Sequence, residues 1–427
     1  MLRSMNQSRH KSFKLRVKSG KTGQILHCLL ECPMSKPFDV CIRGNGVVGR
    51  TLALLLAQDR LHVALVAPTA VARSLDLPPL QDVRAYALNS ASRQLLESLR
   101  AWPDTPFVTT VQQMQVWGDA GGRLDFIAAD AVPIADPAGT AAALTWIVDV
   151  PALEQRLAQA LQYQPQVETV AAPVQAALQV VCEGQKSSSR SEFGAQWVVK
   201  PYPQVAIAAR LQSDQRHHGV ARQWFGARGE VLALLPTGGF EGNSLALVWS
   251  VSAERAEALL KLPPDGFSAA LQTACGAEAG RLELASSLTT WPLSLSRAER
   301  WVGPGWALAG DAAHTVHPLA GQGLNLGLAD AAGLATVLRE REYWRGLGDE
   351  KLLRRYERSR QADLVMMGAV TDGLQGIFSQ SDASWQALRN WGMRGFERSG
   401  PLKQWAVRQA MGLSRGDSPT NSGKSRL

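Results

Sequence analysis

"PFDVCIRGNGVVGRTLALLLAQDRLHVALVAP", residues 37–68, divides into a strand, a glycine turn, a helix and a second strand. The apolar run Phe38–Ile42 leads into Gly44-Asn45-Gly46-Val47-Val48-Gly49; a helix is expected through Leu56 and a strand from Leu61 to Val66. That order is a βαβ dinucleotide-binding unit, in which the glycines permit a tight turn and let backbone amides approach a pyrophosphate. GxGxxG alone is a weak signal, but between a strand and a helix with a second strand behind it the pattern is specific. Two positions depart from it. Ala67 stands where an acid usually meets the ribose hydroxyls, and Arg43 where an apolar strand residue is expected. Losing the carboxylate removes a charge-assisted hydrogen bond of about 1.5–3 kcal/mol. It also removes the repulsion that would exclude a 2′-phosphate, so the residues alone leave NADP open at this site.

A second glycine segment, "GDAAHTVHPLAGQGLNLGLADA", spans 310–331. The apolar run Trp306–Ala309 before it reads as a buried strand delivering Gly310 and Asp311 at its C-terminal edge. After Gly323 the spacing of Leu324, Leu326, Leu328 and Ala331–Leu334 predicts a helix with one covered side. A glycine-rich turn feeding a helix start suits an electron-rich ligand, because free amides and the positive end of the helix face it. His314 and His317 read as turn and packing residues. A two-histidine iron site would need a carboxylate and open coordination; Asp311 is at hand, but the glycine pattern speaks against it.

Between these segments, residues 81–99 read as a polar start and a helix with Leu88, Leu95, Leu96 and Leu99 inward. Residues 114–130 read as a hairpin around Gly118–Gly122, and 144–162 as a strand turning into a helix at Asp149 and Pro151. From 202 to 251 strands dominate, forming a sheet with a face available to cover a substrate; beyond Leu352 the pattern is helical to about Gly412. No repeat is evident.

The chain's 427 residues allow two or three domains, and no apolar run is long enough to cross a membrane. Its net charge of +8 would suggest a polyanion partner, but it sits at the ends. Residues 1–33 carry seven basic residues against Glu31, and the tail from Ser414 carries three against Asp417. The rest is neutral, which argues against nucleic acid. Five scattered cysteines (28, 32, 41, 182, 275) without CxxC pairs point to a reducing cytoplasm, with no disulfide or metal framework. The domain is expected to begin near Met34, with 1–33 a basic, disordered extension; as a targeting peptide, its apolar patch is short and broken by His27 and Glu31.

With both segments placed, the chain resembles the FAD-dependent aromatic hydroxylases, and within them the hydroxylases of ubiquinone biosynthesis. Residues 310–331 carry most of the likeness, supported by "DVRAYAL" around Arg84, by 233–250, and by "RYERSRQADLVMM" and "LRNWGM". The resemblance spans about 34–412. It implies an α/β fold with an α+β second layer: a Rossmann-like FAD-binding domain of 34–110, 140–200 and 296–350, and a β-rich substrate domain of 111–139 and 201–295. C-terminal helices at 351–413 and a disordered tail at 414–427 complete it. It further implies that Gly44, Gly46 and Gly49 hold the FAD pyrophosphate and that Arg84 contacts the phosphates or ribityl chain. Gly310 and Asp311 would meet the ribityl hydroxyls, with Asp311 a cofactor clamp rather than a base. Pro318, Gly321, Gln322, Gly323, Leu324 and Asn325 would wrap the isoalloxazine ring. No metal is implied and no catalytic side chain is singled out. NAD(P)H would reduce FAD, and one atom of O₂ would pass to an electron-rich, polyprenylated phenol.

One departure bears on activity. The family carries a strand ending in Gly-Ala-Asp-Gly, with Ser and Arg following, in mid-chain. "AQWVVK" is taken as that strand; it runs straight into "PYPQVAIAARL", so the segment reads as deleted, with only Lys200 between Val199 and Pro201. This keeps a degenerate, non-catalytic member of a biosynthetic complex open as an alternative. A nicotinamide dehydrogenase would explain GxGxxG but not 310–331. Finally, 382–411 interleaves Trp385, Trp391, Phe396 and Trp405 with five basic residues. That suits a peripheral contact at the inner membrane, but Gly392, Gly395, Gly400 and Pro401 interrupt any long amphipathic face, which favours a C-terminal helix pair packed on the flavin domain.

Overall fold

The computed structural model describes residues 37–67, 82–118, 122–131, 143–226, 229–239, 241–316 and 322–379, without the side chains of 130–131 and 365–379. The chain divides into two units at Lys36/Pro37, and the second is described here. The expectations for 1–33, 382–411 and 414–427, and for His317, Pro318 and Gly321, lie outside the described residues.

The chain opens with β1 (Phe38–Arg43), α1 (Val47–Gln58) and β2 (Val63–Val66). β3 (Ala85–Leu88) precedes α2 (Ser90–Ser98), whose cap Asn89 accepts the Ser92 amide. Leu88, expected on the helix, instead closes a strand, because Ala85–Leu88 pairs with Trp146–Asp149 and Asn89 starts the helix only afterwards. β4 (Val108–Val111), the hairpin β5 (Gln113–Trp117) and β6 (Arg123–Ile127), and the short α3 (Ala128–Ala131) follow. β7 (Thr145–Asp149) turns into α4 (Val150–Gln162), with Asp149 capping the Ala152 amide and proline in the first turn. Next come β8 (Val167–Val170), β9 (Ala176–Val181) and α5 (Ser189–Glu192). β10 (Trp197–Ser213), β11 (Val220–Phe225), β12 (Val231–Pro236) and β13 (Ser244–Ser252) run on to α6 (Ala253–Leu260) and α7 (Pro264–Cys275). β14 (Leu282–Leu284), β15 (Thr289–Ala298), β16 (Val302–Gly303), β17 (Trp306–Leu308) and β18 (His314–Thr315) precede α8 (Gly323–Arg339) and α9 (Glu350–Ser379).

Among the described residues the strands make three sheets. The first has the order β16-β17-β9-β1-β2-β8 and is parallel except for β16–β17. Its inner strands β2 and β17 are continuous apolar runs, as a sheet covered on both faces requires, while the edge strand β8 is largely exposed. Leu52 and Leu56 of α1, Leu153 and Leu157 of α4, and Leu328 and Leu334 of α8 share its core. The second sheet runs β18-β15-β10-β13-β12-β11-β5-β6, with β14 on β10, and is backed by α6 and α7 around Trp249 and Phe267. The third, β3-β7-β4, lies against it through Ile147, Val111 and Ala221.

The structure corrects the reading of the mid-chain segment. Lys200 is no shortened link: it lies inside β10, seventeen residues long and paired with β15 on both sides of a bulge at Pro201–Val205. At about 3.3 Å per residue such a strand reaches roughly 55 Å, so it makes the crossing itself. The expected domain boundary at 200/201 falls within it. On the side of β1 away from β2 lies β9, and after its last residue come Cys182, Glu183 and Gly184, then Ser187–Ser189 and Arg190. This stretch, rather than 195–200, has the layout of the acid-glycine segment, with Val181 for the first Gly, Cys182 for Ala and Glu183 for Asp.

Candidate cofactor site

The C-terminal ends of β1, β9 and β17 lie side by side, which is where open α/β sheets bind ligands. Gly44 follows β1 with a left-handed φ of +114°, and a Cβ there would lie 2.5 Å from the Cys182 carbonyl oxygen. At Gly49 a Cβ would fall 1.9 Å from the Gly44 carbonyl oxygen, so only glycine lets α1 start this close to the turn. A Cβ at Gly46 would meet nothing within 4 Å. Gly44 and Gly49 are thus glycines for packing, while Gly46 opens onto space at the start of α1, as a phosphate cradle needs.

β17 delivers Gly310 at φ +64°, where a Cβ would press on Val48 of α1. Gly327 of α8 packs on the same Val48, so α1, α8 and the Gly310 turn meet at one point. Asp311 accepts no hydrogen bond from any described residue. Water reaches it, yet enough protein surrounds it that burial raises its carboxyl above the usual range; His314 opposes the rise and Asp330 adds to it. Tyr86 stands near enough that burial, and then the Asp311 charge, raise its phenol. A carboxylate without a partner in a recess is suited to ligand hydroxyls. Behind it the first turn of α8 begins at Gly323, where a Cβ would also meet open space.

Other expected residues prove to be committed elsewhere. Arg84 is held by Asp82 (2.6 Å) and Glu154 (3.3 Å), which raise its pKa, and reaches a phosphate only by sharing them. The Asn325 side chain accepts from the Asn89 amide and Ser92 Oγ and donates to the Ala87 carbonyl. It fastens α8 to the start of α2. Leu324 packs against the core, and Gln322 Oε1 accepts from Asn325 Nδ2. His314 is buried, stacked on Trp301 and bonded to Asp330 (2.7 Å).

Sequence reasoning missed four residues. Glu183 accepts from Ser187 Oγ, Ser189 Oγ and the Ser189 amide; burial works against ionisation, but these bonds hold its carboxyl below the usual range. Arg190 stacks on Trp197 and donates to the Ala312 carbonyl (3.0 Å), tying the mid-chain segment to the Asp311 turn. Asp330 and Arg360 lie beneath that turn. The signal for the first two was present: "AALQVV" is a short apolar run followed by Glu-Gly, Ser and Arg. Arg43, the irregular strand residue, pairs with Glu192 and Ser189 in the same segment.

The recess fits FAD: a glycine cradle for pyrophosphate, a free carboxylate for the ribityl chain and a helix start for the ring. Comparison with known proteins agrees. A family model described as an FAD binding domain matches residues 140–367. Ubiquinone hydroxylase UbiL of Rhodospirillum rubrum is 32% identical, over 90% of this chain and 92% of that one. The 3-demethoxyubiquinol 3-hydroxylase of Escherichia coli is 30% identical, over 89% of this chain and 100% of that one. Among solved structures, p-nitrophenol 4-monooxygenase PnpA from Pseudomonas putida superposes with a TM-score of 0.67 at 17% identity, covering 90% of this chain and 100% of that one. The chain belongs to the FAD-dependent monooxygenases that hydroxylate aromatic rings, in the branch of the ubiquinone-biosynthesis hydroxylases.

Proposed function

We propose that the protein hydroxylates an electron-rich phenol bearing a polyprenyl tail, using O₂ and with NAD(P)H as reductant, in ubiquinone biosynthesis. The names of two relatives, a ubiquinone hydroxylase and a 3-demethoxyubiquinol 3-hydroxylase, support the substrate class. FAD, when bound, supplies the redox and oxygen-transfer chemistry. In this reading Gly46 and the start of α1 receive the pyrophosphate, Asp311 accepts from ribityl hydroxyls, and the amides of Gly323, Leu324 and Asn325 face the ring. A positive helix end there favours negative charge on the reduced ring. A tailed substrate remains in the bilayer, so the protein works at a membrane surface or within a biosynthetic complex.

The observation carrying this reading is the partnerless Asp311 carboxylate beside an open helix start. The Glu183-Gly184 pair after β9, a strand beside β1, supports the catalytic reading over the non-catalytic one. The test is to purify the protein, record its visible spectrum with and without added FAD, and follow NAD(P)H oxidation with a short-chain prenylated phenol. Flavin bands, substrate-stimulated oxidation and a product heavier by one oxygen are expected. Flavin bands without a hydroxylated product from any prenylated phenol would overturn the substrate assignment.

A further inference from the structure

We infer that Asp330 and Arg360 act together as positioning residues for the cofactor turn, making α9 part of the flavin site although none of its described side chains enters the recess. This rests on the flavin reading above. Asp330 is fully buried. Its Oδ2 accepts the Gly310 amide (2.9 Å) and His314 Nε2 (2.7 Å), and its Oδ1 accepts Arg360 Nε (2.8 Å). Burial alone would push this carboxyl up, but His314 and Arg360 hold it below the usual range.

The Gly310 contact matters most. Gly310 is left-handed, and that rotation turns its amide inward and sends the next residue, Asp311, towards the recess. Without the Asp330 acceptor a buried amide would be orphaned, and the turn would lose the bond that selects its rotation. Asp330 also lies one turn beyond Gly327, where α8 touches Val48 of α1. It therefore sets the turn relative to both helices that face the cofactor.

Arg360 makes this buried carboxylate tenable, because an ion this deep needs a charged partner and full hydrogen bonding. Its guanidinium also reaches the Leu326 carbonyl and pairs with half-exposed Asp363. One turn earlier on α9, Tyr356 donates to the Leu308 carbonyl (2.9 Å) at the end of β17. The helix thus grips the turn on both sides, before Gly310 through Tyr356 and behind it through Arg360. Fold support alone would be met by apolar packing, which α9 already has in Leu352 and Leu353.

The test is FAD titration of the apoprotein by fluorescence quenching, with visible circular dichroism of the bound flavin. Arg360→Met is expected to stay folded by far-ultraviolet circular dichroism, weaken FAD at least tenfold and alter the flavin dichroism. Arg360→Lys, which keeps a charge for Asp330, should recover most of both, and Asp363→Asn should match wild type. Unchanged FAD affinity and dichroism in folded Arg360→Met overturns the inference, whatever its melting temperature. If Arg360→Met does not fold, Tyr356→Phe decides: a several-fold weaker affinity with the same dichroic change supports the inference, and wild-type values overturn it. Failure of wild type to take up FAD would overturn the cofactor reading, and this inference with it.

Discussion

In the proposed site Asp311 would set stability against function. Its raised carboxyl pKa means that this group stabilises the apoprotein while protonated, below its ordinary value near 3.9, and that the contribution is lost as pH rises through the folded value. At neutral pH the ion is therefore a liability until ligand hydroxyls reach it. Asp311→Asn should raise the apoprotein's melting temperature at pH 7 while weakening FAD roughly tenfold or more, on the scale of a lost charged hydrogen bond. A lower apoprotein melting temperature would show that the ion is already satisfied. Gly46 makes a complementary case. Since a Cβ there meets no protein atom and the residue has an ordinary negative φ, Gly46→Ala should leave the apoprotein's melting unchanged and abolish flavin uptake. Gly49→Ala differs, because its Cβ would collide with backbone whether or not a ligand is present.

At the level of elements, Asp149 joins two tasks. It caps α4, and its other oxygen pairs with Arg210 of β10 at 2.6 Å, fastening the third sheet to the second. Asp149→Ala should cost about 1–3 kcal/mol in urea unfolding, from a lost cap and a half-buried pair. Asp149→Asn keeps the cap and should lose less; equal losses would mean the cap contributes nothing. Asp82, Glu183 and Asp330 all have depressed carboxyls. Their stabilisation is present above the unfolded values near 4 and lost as pH falls through the lower folded ones. Melting temperature should thus fall steeply below about pH 4, and Asp330→Asn, less stable throughout, should show a flatter decline. Elements built on local periodicity were legible in the chain: β1, α1, the β5–β6 hairpin, and α4 behind Asp149-Val-Pro. Positions fixed by partners far along the chain were not. β9 looks like any short apolar run until β1 and β17 flank it, and the reading settled instead on 195–200, whose apolar face belongs to a ribbon with β15. The site was legible where glycine was required and illegible where a buried charge was, because Asp330 on a helix resembles a solvated residue until Arg360 arrives from α9.

For the whole molecule, the parallel sheet dictates an order of assembly. β9 pairs with β1 on one side, and on the other with β17, which the ribosome makes far later. At about 5–20 residues per second, β9 waits on the order of ten seconds with Leu178 and Val180 on an unpaired edge. The βαβ unit that names the fold at the start of the chain is thus among the last parts to become secure. Nascent chains arrested just after Ala298 should be cleaved readily by protease within 37–181. Chains arrested late enough for α8 to leave the tunnel should resist cleavage there. Equal resistance at both lengths would mean that β1, β2, β8 and β9 hold together alone, and that the cell has no need to shield this edge during synthesis.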